Sequence, residues 1–380
     1  MNILVIGNGF DLAHHMSTQY SDFLGFVKAF NCESNSDYAS FIMEIKESND
    51  GLYSEIKSLI ENNILLEYFL SIYDDRCKNE KNGWIDFESE ISTIVRNLDE
   101  AKQYTKEKYA ITNEAVKLEK GMALKLKPII LTHKELASND IITEHSYKPY
   151  FFDYQAKCVL DSLNRLTRLL EIYLYDYIEK KKCCYRLPDI KGITFDRVLS
   201  FNYTHTFWRY YDLNKKAQYC YIHGEAKNSN IETCNLVLGI DEYLTSERKD
   251  SDNEFVWFKK FYQRIFKGTG SEYLDWINHF EDFNDTYKKG KPSHLDLYIY
   301  GHSLDVTDKD VLSRLILMEN CTTHIFYHTR DALAKQINNL VKIIGEENLI
   351  RMTSGKGRII QFIPSQPATK DESAYCEQST

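Results

Sequence analysis

The chain has 380 residues, of which 43% are hydrophobic, and its 56 acidic against 47 basic side chains leave a formal net charge of −9. That balance excludes a broad, sequence-blind nucleic-acid surface, which would need a cationic face to displace counterions. The nine cysteines are scattered without a C-x-x-C pair, and no apolar run approaches 18 residues, so reduced thiols in a cytoplasmic protein without a membrane span are expected.

The first element is Ile3-Leu4-Val5-Ile6, an unbroken apolar run that reads as a strand buried on both faces. A start directly in a strand speaks against a cleaved signal peptide. Gly7-Asn8-Gly9 follows as a tight turn, and a helix is predicted over Asp22 to Phe30. Strand, glycine turn and helix together offer amides and a helix N-terminus to a phosphate. Gly7-x-Gly9 is two-thirds of the dinucleotide fingerprint, because Leu12 stands where a third glycine belongs. His14 and His15 are neighbours that point apart, which is poor metal-ligand spacing.

A long helical region comes next. Ile56, Leu59, Ile60, Asn63 and Ile64 fall on one helical face. Asn82-Gly83 predicts a turn, and Asp86 caps a helix with Phe87, Ile91, Ile94, Val95 and Leu98 on its apolar side. From Glu100 to Lys127 charges surround a thin apolar stripe, the pattern of a solvated helix face. Pro128 and Pro149 bracket a looser stretch, and a helix is predicted from Phe152 to about Lys182, where Lys180-Lys181-Lys182 answers the negative end of the dipole.

Strands then return at Arg197 to Phe201, Gln218 to Ile222, Leu236 to Leu238, Leu295 to Tyr300, Thr322 to Tyr327 and Ile359 to Phe362. A helical, aromatic-rich stretch is expected from Glu254 to Lys291, and helices at Asp308 to Met318 and Arg330 to Ile344. The fold class is therefore α/β: an open, mostly parallel, Rossmann-like sheet with a large helical insertion. Residues 1–30 and 191–363 form the core, 31–190 the insertion, and 364–380 a polar, disordered tail.

Four strand ends pass from apolar to small or polar residues. They are Gly7-Asn8-Gly9-Phe10-Asp11, Ser200 to Thr206 around Asn202, His223-Gly224-Glu225, and Gly301-His302-Ser303-Leu304-Asp305. In a parallel sheet these ends converge on one crevice. Each also has a plain structural reading. Asn202 fits an Asx-turn, His223 a core histidine bonded to a carbonyl, and Ser303 a residue that shapes its turn. Thr307 to Asp310 fits a capping box, which makes Asp308 and Asp310 structural. His205 and His302 lie near the crevice without ligand spacing, and no metal is expected.

The blocks GNGFDLAHHMSTQYSDFL, WIDFE from Trp84, LSFNYTHTF, YIHGE and YIYGHSLDVTDKDVL together resemble the bacteriophage abortive infection AbiH family. That resemblance implies a phage-defence role in which growth of the infected cell stops. More distantly, the same blocks are similar to sirtuin-like NAD-binding domains. This second likeness implies a sirtuin-like sheet with NAD as substrate or ligand, Asn202 and His223 acting at the nicotinamide ribose, and glycine turns holding phosphates and ribose. The implied binding set is Gly7, Asn8, Gly9, Phe10, Asp11, Gly224, Gly301, His302, Ser303 and Asp305. Two features depart from it: the paired C-x-x-C zinc module is missing, and Thr204 stands where an aspartate usually follows the asparagine.

The chemistry so implied is cleavage of the N-glycosidic bond of NAD, with His223 as general base and Asn202 orienting water or carboxamide. Two other readings stand beside it: a non-catalytic nucleotide-binding sensor or scaffold, and a nuclease-type toxin using Asp305 and Asp308 as metal carboxylates. The implied partners are a nucleotide, a phage-derived trigger protein and a second copy of the chain.

Overall fold

A computed structural model of the chain describes residues 1–32, 37–79, 85–130, 145–242, 244, 248, 253–286, 293–355 and 358–371. The expected turn at Asn82-Gly83, Trp84 of the WIDFE block and the last residues of the tail, 372–380, lie outside the described residues.

The chain divides into two compact units, one of residues 1–19, 174–226 and 268–380, the other of 20–173 and 227–267. The first holds a six-stranded sheet of β1 (Asn2–Ile6), β2 (Arg197–Ser200), β3 (Gln218–Tyr221), β4 (Leu295–Tyr300), β5 (Cys321–Tyr327) and β6 (Ile360–Pro364). Every neighbouring pair is parallel, and the spatial order is β3-β2-β1-β4-β5-β6. The chain thus moves outward from β1 to β3, then returns to place β4 on the other flank of β1.

Alternation within β1 explains its unbroken apolar run. Ile3 and Val5 join one buried cluster with Leu199, Leu297 and Ile299. Leu4 and Ile6 join another on the opposite face with Phe10, Val198, Phe207 and Tyr300. A strand with period-2 side chains and both faces covered has no position left for a polar residue. The helices of this unit are α1 (Asn8–Ala13), α2 (Thr206–Tyr210), α3 (Glu272–Thr286), α4 (Lys309–Ile316), α5 (Arg330–Ile344) and α6 (Glu346–Thr353). The chain after Gly7, expected as a tight turn at Gly7-Asn8-Gly9, enters α1 directly at Asn8. Residues 365–371, expected within the disordered tail, are tied down: Ser365 N–H donates to Tyr327 O, and Thr369–Lys370 pairs antiparallel with Tyr185–Arg186.

The second unit is helical and aromatic-cored. Phe87 stacks on Tyr20 and on Phe69, each with ring centroids 4.2 Å apart. Asp86 caps helix Phe87–Thr112 through Ser89 N–H, as its sequence position predicts. The face from Ile56 to Ile64 belongs to two helices rather than one, because Asn62 turns left-handed (φ 53) and the Asn63 side chain accepts from Leu66 N–H to start the next. Leu236 to Leu238 is buried but makes no strand; the Gln263 amide bonds both the N–H and the carbonyl of Leu238 in place of a ladder. Residues 227–267 join this unit through ion pairs such as Lys102–Glu254 and Lys260–Glu88.

The carboxyl ends of β1 and β4 meet backbone to backbone. A Cβ on Gly7 would lie 2.8 Å from His302 Cα, one on Gly9 2.8 Å from Gly301 Cα, and one on Gly301 2.1 Å from Phe10 N. Gly301 is also left-handed, with φ 66. Gly355 has φ 82 but open space around it, so it isolates the backbone cost. We expect Gly355→Ala to cost about 1–2 kcal/mol, the left-handed penalty alone. Gly301→Ala adds overlap and should cost at least about 3 kcal/mol in urea unfolding. Equal costs at the two positions would refute close approach as the reason for Gly301.

Candidate functional site at the carboxyl rim of the sheet

The turn amides at β1 are already used. Gly7 N–H donates to Tyr300 O (3.2 Å), Gly9 N–H to Gly301 O (2.8 Å) and Phe10 N–H to Gly7 O (2.8 Å). The phosphate cradle expected of these amides is therefore not what they form; the glycines serve the approach of β4 to β1. Asn8, exposed at the first position of α1, bonds Thr18 through both ends of its amide. Phe10 turns into the core, edge-on to Tyr300 with centroids 5.9 Å apart.

Asn202, one residue beyond Phe201 at the end of β2, does not close a local Asx-turn. Its Nδ2 donates to Gly7 O at 3.0 Å and ties the end of β2 to the end of β1. Its Oδ1 is buried and has no hydrogen-bond partner among the described residues. Asp11, on α1, is 1% exposed, and its Oδ1 is likewise without a partner. Asp11 Oδ2 accepts from Thr204 Oγ1 at 2.5 Å, and Thr206 Oγ1 lies 3.3 Å from Thr204 Oγ1. A carboxylate at position 204 would face Asp11 with like charge, so threonine suits this place. Burial pushes the Asp11 carboxyl up to about 6; Thr204, Thr206 and Asn202 pull it back, and the charge of Glu179 adds to the rise.

His223, beyond the end of β3, is 6% exposed, with Nε2 3.2 Å from Asp308 Oδ1. The other oxygen of Asp308 lies 3.5 Å from His302 Nε2. His302 Nδ1 accepts from Leu304 N–H at 2.9 Å, so its ring proton sits on Nε2, toward Asp308. Both imidazoles contact Phe201 edge-on, with centroids at 5.5 and 4.3 Å. Asp308 is therefore not the side-chain cap expected of Thr307 to Asp310: it makes no cap hydrogen bond to α4 and turns to the two histidines. Asp305 caps instead, accepting from Thr307 N–H at 3.0 Å, and it is exposed, as is Ser303. Gly224 takes the left-handed turn (φ 80) that follows His223.

A second histidine cluster was not foreseen. His205 sits between two carboxylates, Nδ1 2.9 Å from Glu179 Oε1 and Nε2 3.1 Å from Glu225 Oε2. Burial alone would lower its pKa, but the hydrogen bonds to Glu179 and Glu225 outweigh burial and raise it to about 9. Glu225 belongs to the YIHGE block, but Glu179 comes from a helical stretch with no pattern linking it to His205. His14 behaves oppositely. The Tyr211 hydroxyl receives Leu187 N–H, so it donates to His14 Nε2 (2.6 Å), and His14 Nδ1–H donates to Phe10 O (2.7 Å). Burial lowers His14 to about 4, which keeps it neutral. The His15 ring packs at a tilt against Tyr185 instead, so the adjacent pair does diverge. Among the described residues no group of three or more His, Cys, Asp or Glu could hold a metal ion.

The Asp11 shift gives a pH signature. Between its ordinary 3.8 and about 6 the folded state keeps a proton that the unfolded chain has lost, so the Asp11 contribution to stability falls as pH rises through that window. Asp11→Asn cannot titrate. Its stability relative to wild type should therefore climb by up to about 3 kcal/mol from about pH 4 to 7 and stay level above, at about 1.4 kcal/mol per pKa unit. Urea unfolding across that range reads it; a pH-independent difference would refute the buried carboxyl.

No described helix is long and apolar enough to cross a membrane. No curated protein and no solved structure matches the chain. A family model described as "Bacteriophage abortive infection AbiH" matches residues 3–328, a span that contains β1 from its second residue, β2 to β5 and every residue of the rim described above. The chain belongs to the bacteriophage abortive infection AbiH family, and its role lies in defence against phage.

Proposed function

We propose that the rim formed by the carboxyl ends of β1 to β4 binds NAD or a related nucleotide and that His223 and Asn202 promote cleavage of its N-glycosidic bond. One observation carries this reading. Where the strand order turns back, at β1 and β4, Asp11 Oδ1 and Asn202 Oδ1 are buried acceptors without a donor among the described residues, and the same rim carries an imidazole 3.2 Å from a carboxylate oxygen. Open α/β sheets bind ligands at that switch point, and the order 3-2-1-4-5-6 is the one associated with dinucleotides. A buried polar atom left unsatisfied costs about 1–3 kcal/mol, which a ligand donor would recover. Ribose hydroxyls and a carboxamide N–H are donors of the right kind.

In this mechanism the bond from the ribose anomeric carbon to the pyridinium nitrogen breaks, and its electron pair leaves with nicotinamide. The ribose acquires oxocarbenium character. Water adds to it, and the water's proton passes to the His223 imidazole, which lies beside Asp308. Asp308 stabilises the imidazolium as it forms. Asn202, anchored on Gly7 O, orients water or carboxamide through Oδ1. The phosphates would meet the exposed Asn8 rather than the committed glycine amides.

The burial of His223 favours a second reading, in which nucleotide is bound and sensed without turnover. Nicotinamide release from NAD by purified protein, with and without phage lysate, separates the two. We expect His223→Ala to lower turnover by about 10² to 10⁴ with little change in unfolding midpoint. Tight NAD or ADP-ribose binding with no product would leave the sensor. Neither binding nor release would sink both.

A further inference from the structure

Where the chain leaves α1, the sheet unit carries a partly open pocket of about 260 Å³. Lys181, Lys182, Lys370 and His15 line it, together with Met16 and Tyr185. No carboxylate is among its lining residues, although acids outnumber bases in the chain by 56 to 47. Three exposed lysines around one small pocket, with no acidic side chain among its described lining residues, concentrate positive charge there.

The groups are placed by the fold. Lys181 Nζ bonds Tyr177 Oη at 2.6 Å and rides 3.8 Å above that ring. Lys370 comes from the far end of the sequence, set opposite Tyr185 by the Thr369–Lys370 ribbon and pinned by Asp371 N–H donating to Cys184 O at 2.7 Å. His15 is left-handed (φ 58), a costly conformation for a non-glycine residue, and this lays its ring 4.1 Å from that of Tyr185. Lysines at a helix C-terminus answer the dipole, which accounts for Lys181 and Lys182. It does not account for Lys370, for the pocket between these residues or for the left-handed His15.

We infer that this cavity binds a small phosphorylated metabolite through its phosphate. Lysine ammonium groups meet phosphate as point charges. The volume lies just under the range of about 300–1,000 Å³ that takes drug-sized ligands, so it suits a phosphate with a short organic body against Met16 and Tyr185 rather than a whole dinucleotide. The inference is independent of any chemistry at the rim.

Isothermal titration of the full chain with inorganic phosphate and with pyrophosphate, at constant ionic strength set by sodium chloride, tests it. We expect saturable binding at one site. The double variant Lys182→Ala/Lys370→Ala, at two exposed positions, should weaken it at least about tenfold. Lys180→Ala, a neighbouring lysine outside the cavity lining, should change it less than about twofold, the scale of screened long-range charge. Absence of saturable binding, or equal losses in the double variant and Lys180→Ala, overturns the site.

Discussion

The structure turns on the contact between two strand ends with no side chains between them. Gly7 and Gly9 after β1 and Gly301 after β4 bring main chain against main chain, joined by the Gly9 N–H to Gly301 O bond. This contact fixes the point where the sheet changes direction. From it, Asn202 reaches across to Gly7 O and brings in β2, while His302, next to Gly301, brings in Asp308 and through it His223. A chain of short polar contacts thus links four strand ends without any one residue touching all of them.

That linkage is bought with unfavourable burial. Burial raises the Asp11 carboxyl to about 6, whereas His205 is held charged by the two glutamates that flank it. Opposite shifts among neighbours of one rim are what environments tuned for proton handling produce, although structural ion networks produce them too. Among the described residues, one buried oxygen of Asp11 and one of Asn202 stay without a hydrogen-bond partner at this rim.

Much of the sheet was legible in the sequence. Leu295–Tyr300 and Arg330–Ile344 fall where apolar runs and helical spacing place them, because burial on two faces and an amphipathic stripe each leave a strong pattern. What stayed hidden was tertiary. Leu236 to Leu238 is as apolar as a strand, but a glutamine side chain satisfies its backbone, which no local pattern announces. Asp308 sits in a good capping sequence, yet two histidines from distant strand ends compete for its carboxylate and win. Glu179 and His205 are 26 residues apart and meet only through the fold. The glycines of the first turn were recognised as special, but their partner proved to be another glycine turn.

β1 occupies the middle of the sheet, and its nearest strand in sequence, β2, begins only at Arg197. During synthesis the apolar β1 must therefore emerge and wait, both edges unpaired, while nearly two hundred further residues are made. At about 5–20 residues per second that wait is on the order of ten seconds or more. Most of the helical unit, residues 20–173, leaves the ribosome in this interval, before the second strand of the sheet is made. The sheet is then assembled late around its oldest strand.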